Sequence, residues 1–299
     1  MTGPSGLDLV TPSVLRGWPL PSPGGNKNEK GRLLVIGGSR QTPGAVLLAA
    51  EAALRIGAGK VQVATTSATA PLLAVAVPEC FVVGVDEDDG ELAVSSADRL
   101  LELANQADAV LAGPGMGDPA AACALLEAVV PHLATAVVLD ALGTAFVTAH
   151  PEGLRHLAAR ALLTPNTGEL AEVLDEDPQG VEDDLLRATR RAVTRTGATV
   201  LSGGESSFVC EPSGTAWRLD VGAPGAAVAG SGDVKAGAVA GLLARGLSPA
   251  RAAAWGAYVH GRAGERLTVE VGRTGFLARE VARSLPAALA EVELGVTPG

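Results

Sequence analysis

Short apolar runs that end in glycine recur along this 299-residue chain, and most lead into a segment of helical character. Leu33-Leu34-Val35-Ile36 is apolar at every position and stops at Gly37-Gly38-Ser39, which suits a central strand buried on both faces. Pro43 then offers a fixed φ for a first helical turn, and GAVLLAAEAALRIGAG continues as a helix closed by glycine. Further strands are expected at 60–65, 81–85, 109–112, 136–140, 161–164 and 200–201. Helices are expected near 96–105 and 119–130, after residue 169, and at 182–195, 249–267 and 275–289. Residues 206–210 and 215–219 alternate around Pro212-Ser213-Gly214, a hairpin signal. Strands that alternate with helices imply a mostly parallel sheet with helices on both faces. No internal repeat or dividing linker is present, so the expected organisation is an arm at 1–30, one α/β domain at 31–290 and a tail at 291–299.

Composition narrows the partners. Hydrophobic residues make up 47% of the chain but aromatic ones only 3%, so the layers should pack closely through alanine, glycine and valine. So few rings argue against a base-stacking surface, and a formal charge of −10 opposes general attraction to nucleic acid or anionic membranes. Cys80, Cys123 and Cys210 are odd in number and widely spaced, and read as small buried residues in a reducing compartment. There is no secretory leader pattern and no uninterrupted membrane-length apolar run, so a cytoplasmic protein is expected.

In open parallel sheets ligands bind beyond the carboxyl ends of the strands. Glycine-rich corners fall there near Gly37, Gly113, Gly203 and Gly230. The most telling stretch is 222–241, GAPGAAVAGSGDVKAGAVAG, where Gly230-Ser231-Gly232 turns into an alanine-rich helix. The free amides and dipole of such a terminus favour an anion. Asp233, in the first turn, could accept a proton from a substrate hydroxyl, or merely complement the dipole. Other phosphate and hydrolase motifs fail on spacing. GGSRQTPG is not G-x-G-x-x-G, and neither a Walker loop nor G-x-S-x-G occurs. His132, His150, His156 and His260 lack zinc-ligand spacing and read as solvated or hydrogen-bonded.

Together, GRLLVIGGSRQTPGAVLLAAEAALRIGAGKVQVAT (31–65), AGPGMG (112–117), LLTPNTGELAEVL (162–174), AVAGSGDVKAGAVAGLLARG (227–246) and YVHGRAG (258–264) resemble the ADP/ATP-dependent NAD(P)H-hydrate dehydratase family, a branch of the ribokinase-like superfamily. The resemblance implies a three-layer α/β/α sandwich with a mostly parallel sheet and a C-terminal β-hairpin. It also implies a lyase that removes water from NADHX or NADPHX at the expense of ADP or ATP, with Mg²⁺ bridging the phosphates, in a homo-oligomer. Carried over by position, Ala45, Gly115, Asn166 and Asp233 would bind the damaged dinucleotide. Ser202, Gly203, Gly204, Glu205, Ser206 and Gly232 would bind the nucleotide. Gly230, Ser231 and Gly232 would form an anion hole, with Asp233 as the catalytic base.

The chain departs from the family pattern at several positions. Asn166 replaces a histidine, Ser202 replaces a lysine, and a two-aspartate stretch is shortened to Leu139-Asp140-Ala141-Leu142-Gly143, leaving one carboxylate. Lys235 stands where an apolar residue is common, and is expected to be solvated, the alternative being a phosphate-facing cation. A small-molecule kinase of the same superfamily, or a non-catalytic nucleotide-binding relative, are the competing readings.

Overall fold

The computed structural model describes residues 6–21, 30–204 and 206–295. The apolar runs form strands β1 (Leu7–Leu9), β2 (Arg32–Ile36), β3 (Lys60–Thr66), β4 (Phe81–Val85), β5 (Glu87–Asp88), β6 (Glu91–Leu92), β7 (Ala109–Ala112), β8 (Ala136–Leu139), β9 (Ala161–Leu163), β10 (Thr199–Gly203), β11 (Ser207–Cys210) and β12 (Ala216–Leu219). All but the small β5–β6 ribbon join one sheet in the order β1-β12-β11-β10-β9-β8-β7-β2-β3-β4. The strands from β10 to β4 are mutually parallel. β11 runs antiparallel to both its neighbours, and β1 pairs parallel to β12.

The helices are α1 (Pro12–Arg16), α2 (Pro43–Arg55), α3 (Ala70–Ala76), α4 (Ala97–Ala104), α5 (Pro119–Val129), α6 (Ala145–Ala149), α7 (Thr167–Leu174), α8 (Pro178–Asp183), α9 (Leu185–Thr196), α10 (Ser231–Ala244), α11 (Pro249–Glu270) and α12 (Ala278–Leu294). They make two layers. Leu33 and Val35 of β2 enter a core with α2, α10, α11 and α12. Leu34 and Ile36, on the opposite face, enter a second core with α4, α5, α7 and α9. Burial on both faces is why this strand reads as an unbroken apolar run.

α10 is the innermost helix, with eleven of its fourteen residues buried. Small residues make that possible. A Cβ on Gly237 would lie 2.1 Å from the Ala49 carbonyl oxygen, and one on Gly241 would lie 2.7 Å from Ile56 Cγ2 and 3.0 Å from Ala53 Cα. Positions 237 and 241 therefore meet 49 and 53 at four-residue spacing, so α10 and α2 pack backbone against backbone. On its other flank, α10 meets Gly256 of α11, where a Cβ would lie 2.5 Å from Val239 Cγ2.

Four expectations need correction. The N-terminal arm is not wholly irregular, because Leu7–Leu9 extend the sheet beside β12 and α1 follows, capped by Thr11. Residues 22–29 of that arm lie outside the described residues. The helix expected at 182–195 is divided, since the Asp184 carboxylate accepts from the Arg187 amide at 3.1 Å and starts a new helix there. The β11–β12 hairpin adds to the sheet before three long helices, and α12 runs on to Leu294.

Gly237→Ala is expected to lower stability by about 1–3 kcal/mol, the range for overpacking a filled interior. Urea unfolding should show a lower midpoint at unchanged slope.

Candidate active site

The parallel strands bring their carboxyl ends, and the helices that follow, to one edge. The Gly37-Gly38 corner after β2 docks on the Gly113–Gly117 loop after β7, with the Gly38 amide donating to the Pro114 carbonyl at 2.8 Å. The Thr42 hydroxyl donates to the Gly115 carbonyl at 2.7 Å. Gly115 has a φ of +71°, and a Cβ there would lie 2.9 Å from Ala45 Cβ and 2.5 Å from the Thr42 carbonyl oxygen. Ala45 and Gly115 are thus neighbours at the start of α2, and only glycine fits the second position.

At the start of α10, Gly230 takes a left-handed turn (φ +87°), with no side chain capping the helix. The Ser231 amide is committed to that turn, donating to the Val228 carbonyl at 3.0 Å. The amides of Gly230, Gly232 and Asp233 make no hydrogen bond with a described residue. The free donors therefore differ from the expected trio, with Asp233 in place of Ser231. The Ser231 hydroxyl instead lies 2.9 Å from His260 Nε2 on α11. His260 is held neutral, its pKa depressed to about 3 by burial and by the Lys235 ammonium.

Three carboxylates face this terminus. Asp233 is pushed up to about 6 by burial and by Glu169. Asp140, 5% exposed at the end of β8, is pushed up to about 7, chiefly by burial. A hydrogen bond from the Thr164 hydroxyl at 2.6 Å opposes that rise. Glu169, on α7, is also raised by burial. Lys235 lies half-buried among them: burial lowers its pKa although Asp140 and Glu169 attract it. Its Nζ would be 3.5 Å from a Cβ on Gly203, at the end of β10.

Other expected contacts are redirected. Ser202 is fully buried, its hydroxyl 2.5 Å from that of Thr189 on α9, so its side chain faces away from α10. Asn166 caps α7: Oδ1 accepts from the Glu169 amide at 2.9 Å and Nδ2 donates to Glu169 Oε1 at 2.7 Å. Ser206 donates to Asp220 at 2.8 Å, Gly203 and Gly204 lie between, and Glu205 is outside the described residues. Of the cysteines only Cys210 is buried; Cys123 lies 3.6 Å from Glu127, which pairs with His150. Two clefts adjoin the two ends of this edge. One of about 690 Å³ is lined by Thr167, Leu185, Gly204, Ser206 and Phe208. The other, of about 1110 Å³, is lined by Arg40, Glu87, Glu91, Gly117 and Asp118. Asp233 lines neither.

A sequence model of the NAD(P)H-hydrate dehydratase family matches residues 33–287. The chain belongs to this family. It is 40% identical over 296 residues to the ADP-dependent (S)-NAD(P)H-hydrate dehydratase of Xanthomonas campestris pv. campestris, covering 99% of this chain and 100% of that protein. It is 33% identical over 270 residues to the bifunctional NAD(P)H-hydrate repair enzyme Nnr of Moorella thermoacetica, but spans only about half (51%) of that protein. Among solved structures, an NAD(P)H-hydrate dehydratase from Bacillus subtilis co-crystallised with ATP and Mg²⁺ superposes with a TM-score of 0.79 at 23% identity, covering 96% of this chain and 99% of that one. A ribokinase-like superfamily protein from Enterococcus faecalis gives 0.80 at 24% identity, with 96% of each chain covered. These likenesses establish the ribokinase-like fold. No helix among the described residues is long and apolar enough to cross a membrane.

The elevated Asp140 pKa ties stability to pH. The folded chain retains a proton that the unfolded chain has released between the ordinary carboxylate range and about 7. That contribution is complete at acid pH and is lost as pH rises through about 7. Asp140→Asn, which can still accept from Thr164, is expected to exceed the parent at pH 8 by on the order of 2–4 kcal/mol. The difference should shrink towards zero at pH 4. Urea unfolding of the ligand-free protein at the two pH values tests this.

Proposed function

We propose that this chain returns hydrated NADH and NADPH to the reduced cofactors at the expense of ADP, which yields AMP and phosphate. Asp233 carries the reading: a desolvated carboxylate in the first turn of a buried helix, beside free amides that can hold the phosphoryl group it serves. The hydroxyl of the hydrated ring attacks the terminal phosphorus, and Asp233 takes its proton. The bond to the AMP oxygen breaks as the new P–O bond forms. The ring carbon–oxygen bond then breaks with loss of a proton from the adjacent carbon, phosphate leaves, and the conjugated dihydronicotinamide is restored. Phosphate leaves where hydroxide would not. The amides of Gly232 and Asp233, with the dipole of α10, favour the charge spread over the transferring oxygens.

The edge divides by neighbourhood. Ala45 and Gly115 form a side-chain-poor surface at the start of α2, suited to close approach by the damaged dinucleotide. Gly204 and Ser206 line the 690 Å³ cleft, Gly203 adjoins them at the end of β10, and this loop suits the nucleotide. Asn166 acts through Glu169, which it orients, rather than as a free ligand-binding amide. The hard oxygens of Asp140 and Glu169 would hold Mg²⁺, since burial penalises their ionised forms and a cation beside them would restore those forms. Bound there, the ion would neutralise phosphate charge.

NADPHX mixed with ADP and this protein should recover reduced-nicotinamide absorbance in step with AMP. A stable phosphorylated product without recovery would make it a kinase. Asp233→Asn is expected to lower turnover at least about 100-fold while the protein stays folded. Because the base must be ionised, kcat/KM should fall as pH drops through about 6. A profile flat from pH 5 to 8 would remove Asp233 from that role.

A further inference from the structure

The charged group that the proposed chemistry leaves unused is Lys235. It projects from the buried helix α10, not from a solvated face. Five elements converge on it. Asp140 at the end of β8 and Glu169 of α7 attract it, and His260 of α11 feels its charge. Gly203 of β10 borders its Nζ, and α10 carries it. It nevertheless forms no hydrogen bond or ion pair with any described residue.

A half-buried ammonium with its donors unspent is costly unless something acceptor-rich joins it. Direction identifies what that is. Residues three apart on a helix share a face, so Lys235 and Gly232 lie on one face of α10, with the Lys235 Nζ at the Gly203 corner of β10. A Cβ at Gly232 would meet nothing within 4 Å, so open space lies there. The ammonium and the free amides of Gly232 and Asp233 thus share one side of the α10 terminus, beside that open space.

We propose that Lys235 is a resident phosphate-binding cation of this site, delivered by α10, which holds the terminal phosphoryl group of the nucleotide and lowers the demand for a divalent ion. This rests on the nucleotide-dependent reaction given above. It also answers the charge balance: three clustered carboxylates would repel a polyphosphate, and a tethered cation offsets part of that repulsion at every metal concentration.

The test compares the parent, Lys235→Leu and Lys235→Arg. Calorimetric titration with ADP and with adenosine separates phosphate contacts from base and ribose contacts. Lys235→Leu is expected to weaken ADP about 10- to 100-fold, the range of one charge-assisted hydrogen bond, and to leave adenosine unchanged. Lys235→Arg should keep most of the ADP affinity. In turnover, the Mg²⁺ concentration for half-maximal rate should rise in the leucine variant. Its melting temperature should match or exceed the parent's, because a partly desolvated charge has been removed. Equal loss for ADP and adenosine, or unchanged ADP affinity, overturns the proposal. If the parent binds ADP through Lys235 yet fails to repair NADPHX, the reaction assigned above is wrong and the lysine assignment stands. If the parent repairs NADPHX and the leucine variant does so at the same rate and Mg²⁺ requirement, the lysine assignment is wrong and the reaction stands.

Discussion

Burying a helix on nearly every side is the constraint on which the rest of this structure depends. α10 can lie inside the protein only because its contacts are made of alanine and glycine, down to direct approach of the Gly237 position to the Ala49 backbone. The low aromatic content follows from the same demand, since layers this close leave little room for rings. The body of the helix is buried, whereas its first turn opens outward, with Gly232 exposed and Asp233 half-buried. Its free amides and dipole are therefore held rigidly by the buried body and open to an incoming anion. The packing that makes the fold thus also makes the anion site.

Desolvation acts on the charges as well. Asp140, Glu169 and Asp233 all have raised pKa values, with burial as the leading cause in each case. A core selected only for stability would not gather three carboxylates and one ammonium where each is penalised. Their juxtaposition is strain in the ligand-free protein that phosphate, and a divalent ion where one is bound, would relieve. The same strain moves Asp233 towards neutral pH, where a carboxylate is a better base.

The strands and the glycine corners were legible because period and punctuation are local properties. Leu33–Ile36 announces two-sided burial by being apolar throughout, and the GSGD turn marks a helix start without tertiary information. Side-chain direction was less legible. Ser202 lies on the same face of β10 as Val200, which enters the α9 core, while Leu201 enters the α10 core. Strict alternation therefore sends Ser202 towards Thr189 and Gly203 towards Lys235. That parity was available in the sequence, but a motif read as a continuous ligand loop conceals it. Asn166-Thr167-Gly168-Glu169 likewise spells a capping box, a competing local explanation for a residue assigned to substrate. Lys235 could not be placed locally, because a charge in a helix reads as solvated until neighbouring helices close over it.

A chain of net charge −10 has to receive two phosphate-bearing molecules, and the topology explains how it can. Net charge acts through solvent, where physiological salt limits its reach to about 8 Å. The proposed phosphate path relies on groups at contact distance, where salt screening matters least. Both α2 and α10 begin at the carboxyl edge, and their backbone-to-backbone packing holds the two positive dipole ends side by side. The polyanions therefore meet helix termini and one half-buried ammonium, while the acidic residues that set the total charge lie largely on exposed surfaces. Fixed partial charges of this kind attract without adding mobile side chains that must be ordered on binding. The Gly-rich terminus at 230–232 is effective here because α2 is packed directly against it, with Leu48 Cδ1 2.5 Å from where a Cβ on Gly230 would lie. Without that neighbour, the same three residues would be an ordinary solvated helix start.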